Sequence, residues 1–152
     1  MLLTFLNQYH SEEAVRKMSQ DEPLTDSDRW NWLSKLREAV ANLIRQGAPG
    51  VVLSCSALKR KYRDVLRAVR LREDLVLQFL YLQVSQHLLE ERVRTRSNHY
   101  MKAAMVQSQL QSLESPDADE LDVLIITADD EVSTVHQTAR NAVQREVRNG
   151  RS

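Results

Sequence analysis

Val52-Leu53-Ser54-Cys55-Ser56-Ala57-Leu58-Lys59-Arg60-Lys61-Tyr62-Arg63-Asp64 carries an apolar run into small residues and then into four cations within five positions. A parallel α/β protein presents an anion site in this order, because ligands sit beyond the carboxyl ends of its strands, where the next helix begins. Val51-Val52-Leu53 is β-branched and apolar, the composition of a strand buried on both faces. Lys59 to Val69, with Tyr62, Leu66 and Val69 on one face, reads as the helix that follows. Upstream, Thr25 and Asp28 form a capping-box pattern with Asp in place of Glu. Trp32, Leu33, Leu36, Val40, Leu43 and Ile44 then recur at mostly helical spacing until Gly47-Ala48-Pro49-Gly50 stops the helix.

The same alternation continues downstream. Leu75 to Leu82 reads as a strand, and Ser85 as the cap of a helix whose last turns hold Arg92, Arg94 and Arg96, where cations complement the negative helix end. Met101 to Leu113 reads as a helix, Val123 to Ile126 as a strand, and Glu131 to Val147 as a polar closing helix. Strands alternating with helices predict an α/β fold with a three-layer parallel sheet, in a single domain spanning residues 1–152.

Composition narrows the function classes. With 152 residues the chain is long enough for one core, burying roughly 68–70% of its unfolded surface. The 21 Lys and Arg balance 21 Asp and Glu, so no overall field favours nucleic acid or an anionic membrane, and anion selectivity must come from local clustering. The few aromatics form no stacking platform for nucleic acid. The single cysteine, Cys55, excludes an internal disulfide framework and reads as a buried structural thiol. No stretch approaches the roughly 18–20 apolar residues of a membrane span, and the start lacks a signal-peptide pattern, so the expectation is a soluble protein of the cytoplasm. His87 and His136 lie in polar helical surroundings without spaced metal partners, so no metal site is expected from them.

Phosphoryl transfer needs a cradle for the donor phosphates, and none is written here. The three glycines, Gly47, Gly50 and Gly150, do not lead into a Gly-Lys-Ser or Gly-Lys-Thr turn. The rest of the chain nevertheless resembles the gluconokinase family, small P-loop phosphotransferases that move a phosphoryl group from ATP to gluconate. Pro23-Leu24-x-Asp26-x-Asp28-Arg29-x-x-Trp32-Leu33 reproduces the family pattern, as do Cys55-Ser56-Ala57-Leu58-Lys59 with Tyr62-Arg63-Asp64 and the Arg92-to-Tyr100 segment. The match covers roughly Tyr9 to Asp129. Near its start His10 and Lys17-Met18 agree, but the family's two aspartate positions fall on Phe5 and Asn7, so no catalytic residue is assigned.

The resemblance implies a P-loop-kinase sheet whose first strand and helix are missing or replaced by Met1 to Leu6, in a domain incomplete at its N-terminus. It implies His10, Arg29, Ser56, Lys59, Arg63, His99 and Gln109 as substrate-binding residues, and Arg92 and Arg96 as a lid near the nucleotide. ATP with Mg2+ is the implied cofactor, gluconate the implied small-molecule partner, and a homodimer a further implication. The expected reaction converts ATP and D-gluconate to ADP and 6-phosphogluconate. The alternative is a non-catalytic variant that binds gluconate or dimerises. The residues alone also allow blander roles: Asp26 and Asp28 as helix caps with Arg29 paired to one of them, and the basic helix as a solvated face.

Overall fold

The structure is a computed structural model that describes residues 2–4, 9–20, 22–69, 75–95 and 103–149. The described elements are β1 (Leu2–Thr4), α1 (Glu12–Ser19), α2 (Asp26–Arg45), β2 (Val51–Leu53), α3 (Arg60–Arg67), β3 (Phe79–Gln83), α4 (Gln86–Thr95), α5 (Ala103–Ser112), β4 (Val123–Thr127) and α6 (Val132–Asn149). They fall into two compact units. The first contains β1, α1, α2, β2, α3 and α5, and the second β3, α4, β4 and α6.

In the first unit α2 is the organising element, and its two ends are chemically fixed. Thr25 Oγ1 accepts from the Asp28 backbone N–H at 3.3 Å, and the Asp28 carboxylate accepts from the Thr25 backbone N–H at 2.8 Å, a complete capping box. At the other end Gly47 N–H donates to Ile44 O and Ala48 N–H to Leu43 O, both at 3.0 Å, the paired bonds of a Schellman motif. Gly47 has φ 89°, a left-handed conformation that a side chain would strain, so glycine is required there for its backbone freedom. Between the caps Trp32, Leu33, Leu36 and Ala41 are buried, together with Tyr62, Leu66 and Val69 from α3 and the residues after it. This interface between α2 and α3 is the core of the unit.

β2 pairs in parallel with β1, with Leu2 opposite Val51, Leu3 opposite Val52 and Thr4 opposite Leu53. A strand therefore does stand at the N-terminal segment expected to replace one. Burial on both faces of β2 does not hold: Val51 and Leu53 are half-buried, but Val52, on the opposite face of the pleat, is exposed. The residues before Thr25 carry no periodicity that marks a helix, yet α1 stands there. It is short, capped by Ser11 Oγ accepting from Ala14 N–H at 3.1 Å, with Glu12 and Glu13 in its first turn and Arg16 and Lys17 in its last.

In the second unit β3 and β4 run parallel, from Phe79 opposite Val123 to Gln83 opposite Thr127. Phe79 N–H donates to Asp122 O and Ala128 N–H to Gln83 O, each at 2.8 Å, so the ladder continues one bond past each end. The strand expected from Leu75 begins at Phe79, because the chain before Val123 turns between Ala118 and Asp122 and among the described residues offers 75–78 no parallel partner. α6 packs on β4, burying Ile126 and Ala142. Among the described residues no helix is long and apolar enough to cross a membrane.

Candidate active site

The candidate site is built where the N-terminus of α2 meets the turn entering α3. Asp26, the first residue of α2, gathers three donors: Lys59 Nζ at 3.0 Å, Lys61 Nζ and the Tyr62 hydroxyl. These partners lie 33 to 36 residues away, so the carboxylate ties the start of one helix to the start of the next. Hydrogen bonds from Lys61, Tyr62 and Lys59 hold the Asp26 carboxyl well below the usual carboxylate range. Burial, then Asp26 itself, pushes the Tyr62 phenol above its ordinary value. Lys59 and Lys61 also lie 5.8 Å from the Tyr62 ring centroid, and Trp30 meets the same ring edge-on at 5.7 Å.

Asp28 has a different task. Besides closing the cap it accepts two hydrogen bonds from Lys17 Nζ, at 2.9 and 3.1 Å, which join α1 to α2. Lys17 first, and then the Thr25 amide, lower its carboxyl to about 2.

Arg29 pairs with neither aspartate. It is only 9% exposed, and among the described residues its guanidinium makes no hydrogen bond and no ion pair. Its guanidinium carbon lies 5.9 Å from the centroid of the Tyr62 ring. Next to it His10 stacks on Trp32, with ring centroids 4.6 Å apart and planes 13° from parallel. Among the described residues the buried His10 Nδ1 and Trp32 Nε1 have no hydrogen-bond partner. Burial and then the Arg29 charge lower the His10 pKa. Burial also pushes the Cys55 thiol up to about 12, which makes it an inert thiol rather than a nucleophile.

Arg63 lies deeper than a surface fork. It is 4% exposed, and its Nη1 donates to Glu114 O at 3.1 Å and to Ala57 O at 3.3 Å. Glu114 returns the contact, its N–H donating to Leu58 O and its carboxylate accepting from Arg60 N–H, each at 2.8 Å. The loop from Ser54 to Lys59 is thereby fastened to the end of α5. Ser56 on that loop is exposed, and Gln109 on α5 is half-buried.

In the second unit Arg92 donates to Ala128 O at 2.9 Å and to Asp130 O at 3.1 Å, holding the turn after β4. Phe5, Asn7, Arg96 and His99 lie outside the described residues. Of the residues singled out in the sequence, the first unit thus brings together His10, Arg29 and Lys59 around Tyr62 and Trp32. Reasoning from sequence misses Asp26 as a junction, and Tyr62 and Trp32 as polar groups. Both aromatics read as apolar helix positions, although a buried phenol or indole ordinarily requires a partner for its polar end.

The donor side finds no counterpart in these residues. Gly47 is committed to ending α2, and a Cβ at Gly50 would meet nothing within 4 Å, so neither supplies a backbone that must approach a phosphate closely. Among the described residues no group of three or more His, Cys, Asp or Glu could hold a metal ion. The described residues therefore do not fit an ATP and Mg2+ cradle.

No protein-family model matches the chain. Individual proteins do. The chain is 49% identical over 121 residues to a protein of Schizosaccharomyces pombe named "Probable gluconokinase", a match covering 79% of this chain and 63% of the relative. It is 35% identical over 134 residues to the thermosensitive gluconokinase of Escherichia coli, covering 88% of this chain and 69% of that one. The chain thus spans about two thirds of the length of these relatives. The crystal structure of a gluconokinase from Sinorhizobium meliloti superposes with a TM-score of 0.82 at 35% identity, over 97% of this chain and 79% of the other. A crystal structure of a Janibacter sugar kinase superposes with a TM-score of 0.83, and the fold is the α/β fold of these kinases. Since sequence and structure both match over more than two thirds of a relative's length, and the α2 and α3 motifs bracket the clustered polar groups, the chain belongs to the gluconokinase family.

Proposed function

We propose that the chain binds D-gluconate as the acceptor of the family's reaction, in which ATP and D-gluconate give ADP and 6-phosphogluconate. The observation that carries this reading is Arg29, a buried guanidinium with no counter-ion of its own among the described residues, on the helix face that also presents Trp32. Burying a charge without a partner is expensive, and a carboxylate ligand relieves that cost while using the planar fork of the guanidinium. Lys59 stands beside it as a point charge held by Asp26, able to turn toward an anion. His10, Ser56 and Gln109 complete the acceptor set on this reading, with His99 drawn from the family pattern; Arg96 keeps the place near the nucleotide that the same pattern implies. Arg63 and Arg92 act as positioning residues for the loop before α3 and the turn after β4.

The two compact units form one domain on this proposal, the chain works in the cytoplasm, and it has no nucleic-acid partner. Self-association as a homodimer follows the family resemblance alone. The test is gluconate-dependent ADP release by the purified 152-residue chain, beside Lys59→Ala. Turnover abolished by the substitution supports the kinase reading. Gluconate binding without turnover favours the binding-only variant. Absence of both turnover and gluconate binding refutes the reading.

A further inference from the structure

Three polar groups in the first unit are unpartnered among the described residues, and two of them share one helix face. Arg29 and Trp32 are three residues apart on α2, so their side chains emerge as neighbours about 5–6 Å apart at Cβ. Trp32 is 5% exposed and its indole nitrogen reaches no acceptor among those residues. An unsatisfied buried polar atom is uncommon enough to require an explanation, and two on one stacked pair of rings require it more. Replacing Trp32 by an apolar ring would remove the orphan, so packing alone does not explain why an indole stands there.

We infer that Trp32 and His10 read the hydroxyl next to the carboxylate of the bound sugar acid, with the Trp32 indole N–H donating to that oxygen and His10 Nδ1 accepting its proton. This rests on the proposal above that Arg29 takes the carboxylate. The side chain one turn along the same face from Arg29 is Trp32, within reach of an oxygen one carbon away from a carboxylate held there. A hydroxyl donates once and accepts twice, so it complements an indole donor beside a neutral imidazole acceptor. Burial and the adjacent guanidinium both favour the neutral form of His10, and its tautomer protonated at Nε2 leaves Nδ1 free to accept. The ligand class is therefore a 2-hydroxy carboxylate, and the site discriminates against acids lacking that hydroxyl because both protein atoms then remain unsatisfied.

The test uses the full chain, D-gluconate and 2-deoxy-D-gluconate. Calorimetric titration should show the 2-deoxy acid binding about tenfold more weakly, and Trp32→Phe should weaken gluconate to about the level of the 2-deoxy acid while leaving the latter unchanged. A second readout leaves Trp32, His10 and Arg29 unchanged. The chain has two tryptophans, and the indole N–H resonance of Trp32, assigned with the exposed Trp30 changed to Phe, should move downfield with gluconate but not with the 2-deoxy acid. Equal affinities for the two acids in the wild type, or gluconate binding that leaves the Trp32 resonance in place, would overturn this inference while leaving the acceptor reading standing. No binding of either acid would overturn both.

Discussion

Replacing Arg63 by Met separates a positioning role from a ligand-binding one. Met keeps most of the aliphatic stem and removes the guanidinium, so the α2 and α3 interface retains its packing while Glu114 O and Ala57 O each lose a charged donor. A hydrogen bond from a charged group contributes about 1.5–3 kcal/mol; the 3.1 Å bond to Glu114 O falls within that range and the 3.3 Å bond to Ala57 O below it. The expected loss is about 3 kcal/mol, a large part of the roughly 5–15 kcal/mol that holds a domain folded. For a chain of this length it should lower Tm by about 6–12 °C. Urea unfolding followed by circular dichroism measures it, with Arg45→Met as control, since Arg45 bonds the exposed Asn42 and should change stability by no more than about 0.5 kcal/mol. Refutation would be an Arg63→Met chain as stable as the wild type. If that chain also lost gluconate affinity, Arg63 would be a ligand fork after all.

Other expectations follow from single contacts. Thr25→Ala removes the cap of α2 and should cost about 1 kcal/mol in urea unfolding. Asp28, held at about 2 against an ordinary value of 3.8, stabilises the fold above pH 4, and that contribution disappears as pH falls from 4 to 2. The stability difference between wild type and Asp28→Asn should therefore shrink over that window and be constant between pH 5 and 7; a difference independent of pH would refute the assignment. Cys55, pushed up to about 12, should react with a thiol reagent at pH 8 far more slowly than a free thiol of ordinary pKa, and at the normal rate once urea unfolds the chain.

The parts of this fold that depend on local chemistry were legible in the residues. The caps of α2 are set by Thr25, Asp28 and Gly47, and the apolar spacing between them places Leu33 and Leu36 in the core. The parts that depend on distant partners were not. Arg63 reads as a substrate-binding residue, and nothing near it in sequence announces the carbonyl of Glu114, 51 residues on, that accepts from it. Asp26 looks like a helix-dipole residue until Lys59, Lys61 and Tyr62 converge on it. β3 could not be trimmed to Phe79 without knowing where β4 begins, and β1 is too short for periodicity to mark. Arg29 is the instructive case, since its sequence neighbours offer two carboxylates and the structure gives both to lysines instead.

The central claim is that the first unit holds a sugar-acid site centred on Arg29. Titrating D-gluconate into the purified chain and into Arg29→Met by calorimetry tests it most directly. The account predicts saturable one-to-one binding that weakens at least tenfold in the variant, with folding of both chains checked by circular dichroism. Equal affinity in the two folded chains would contradict it.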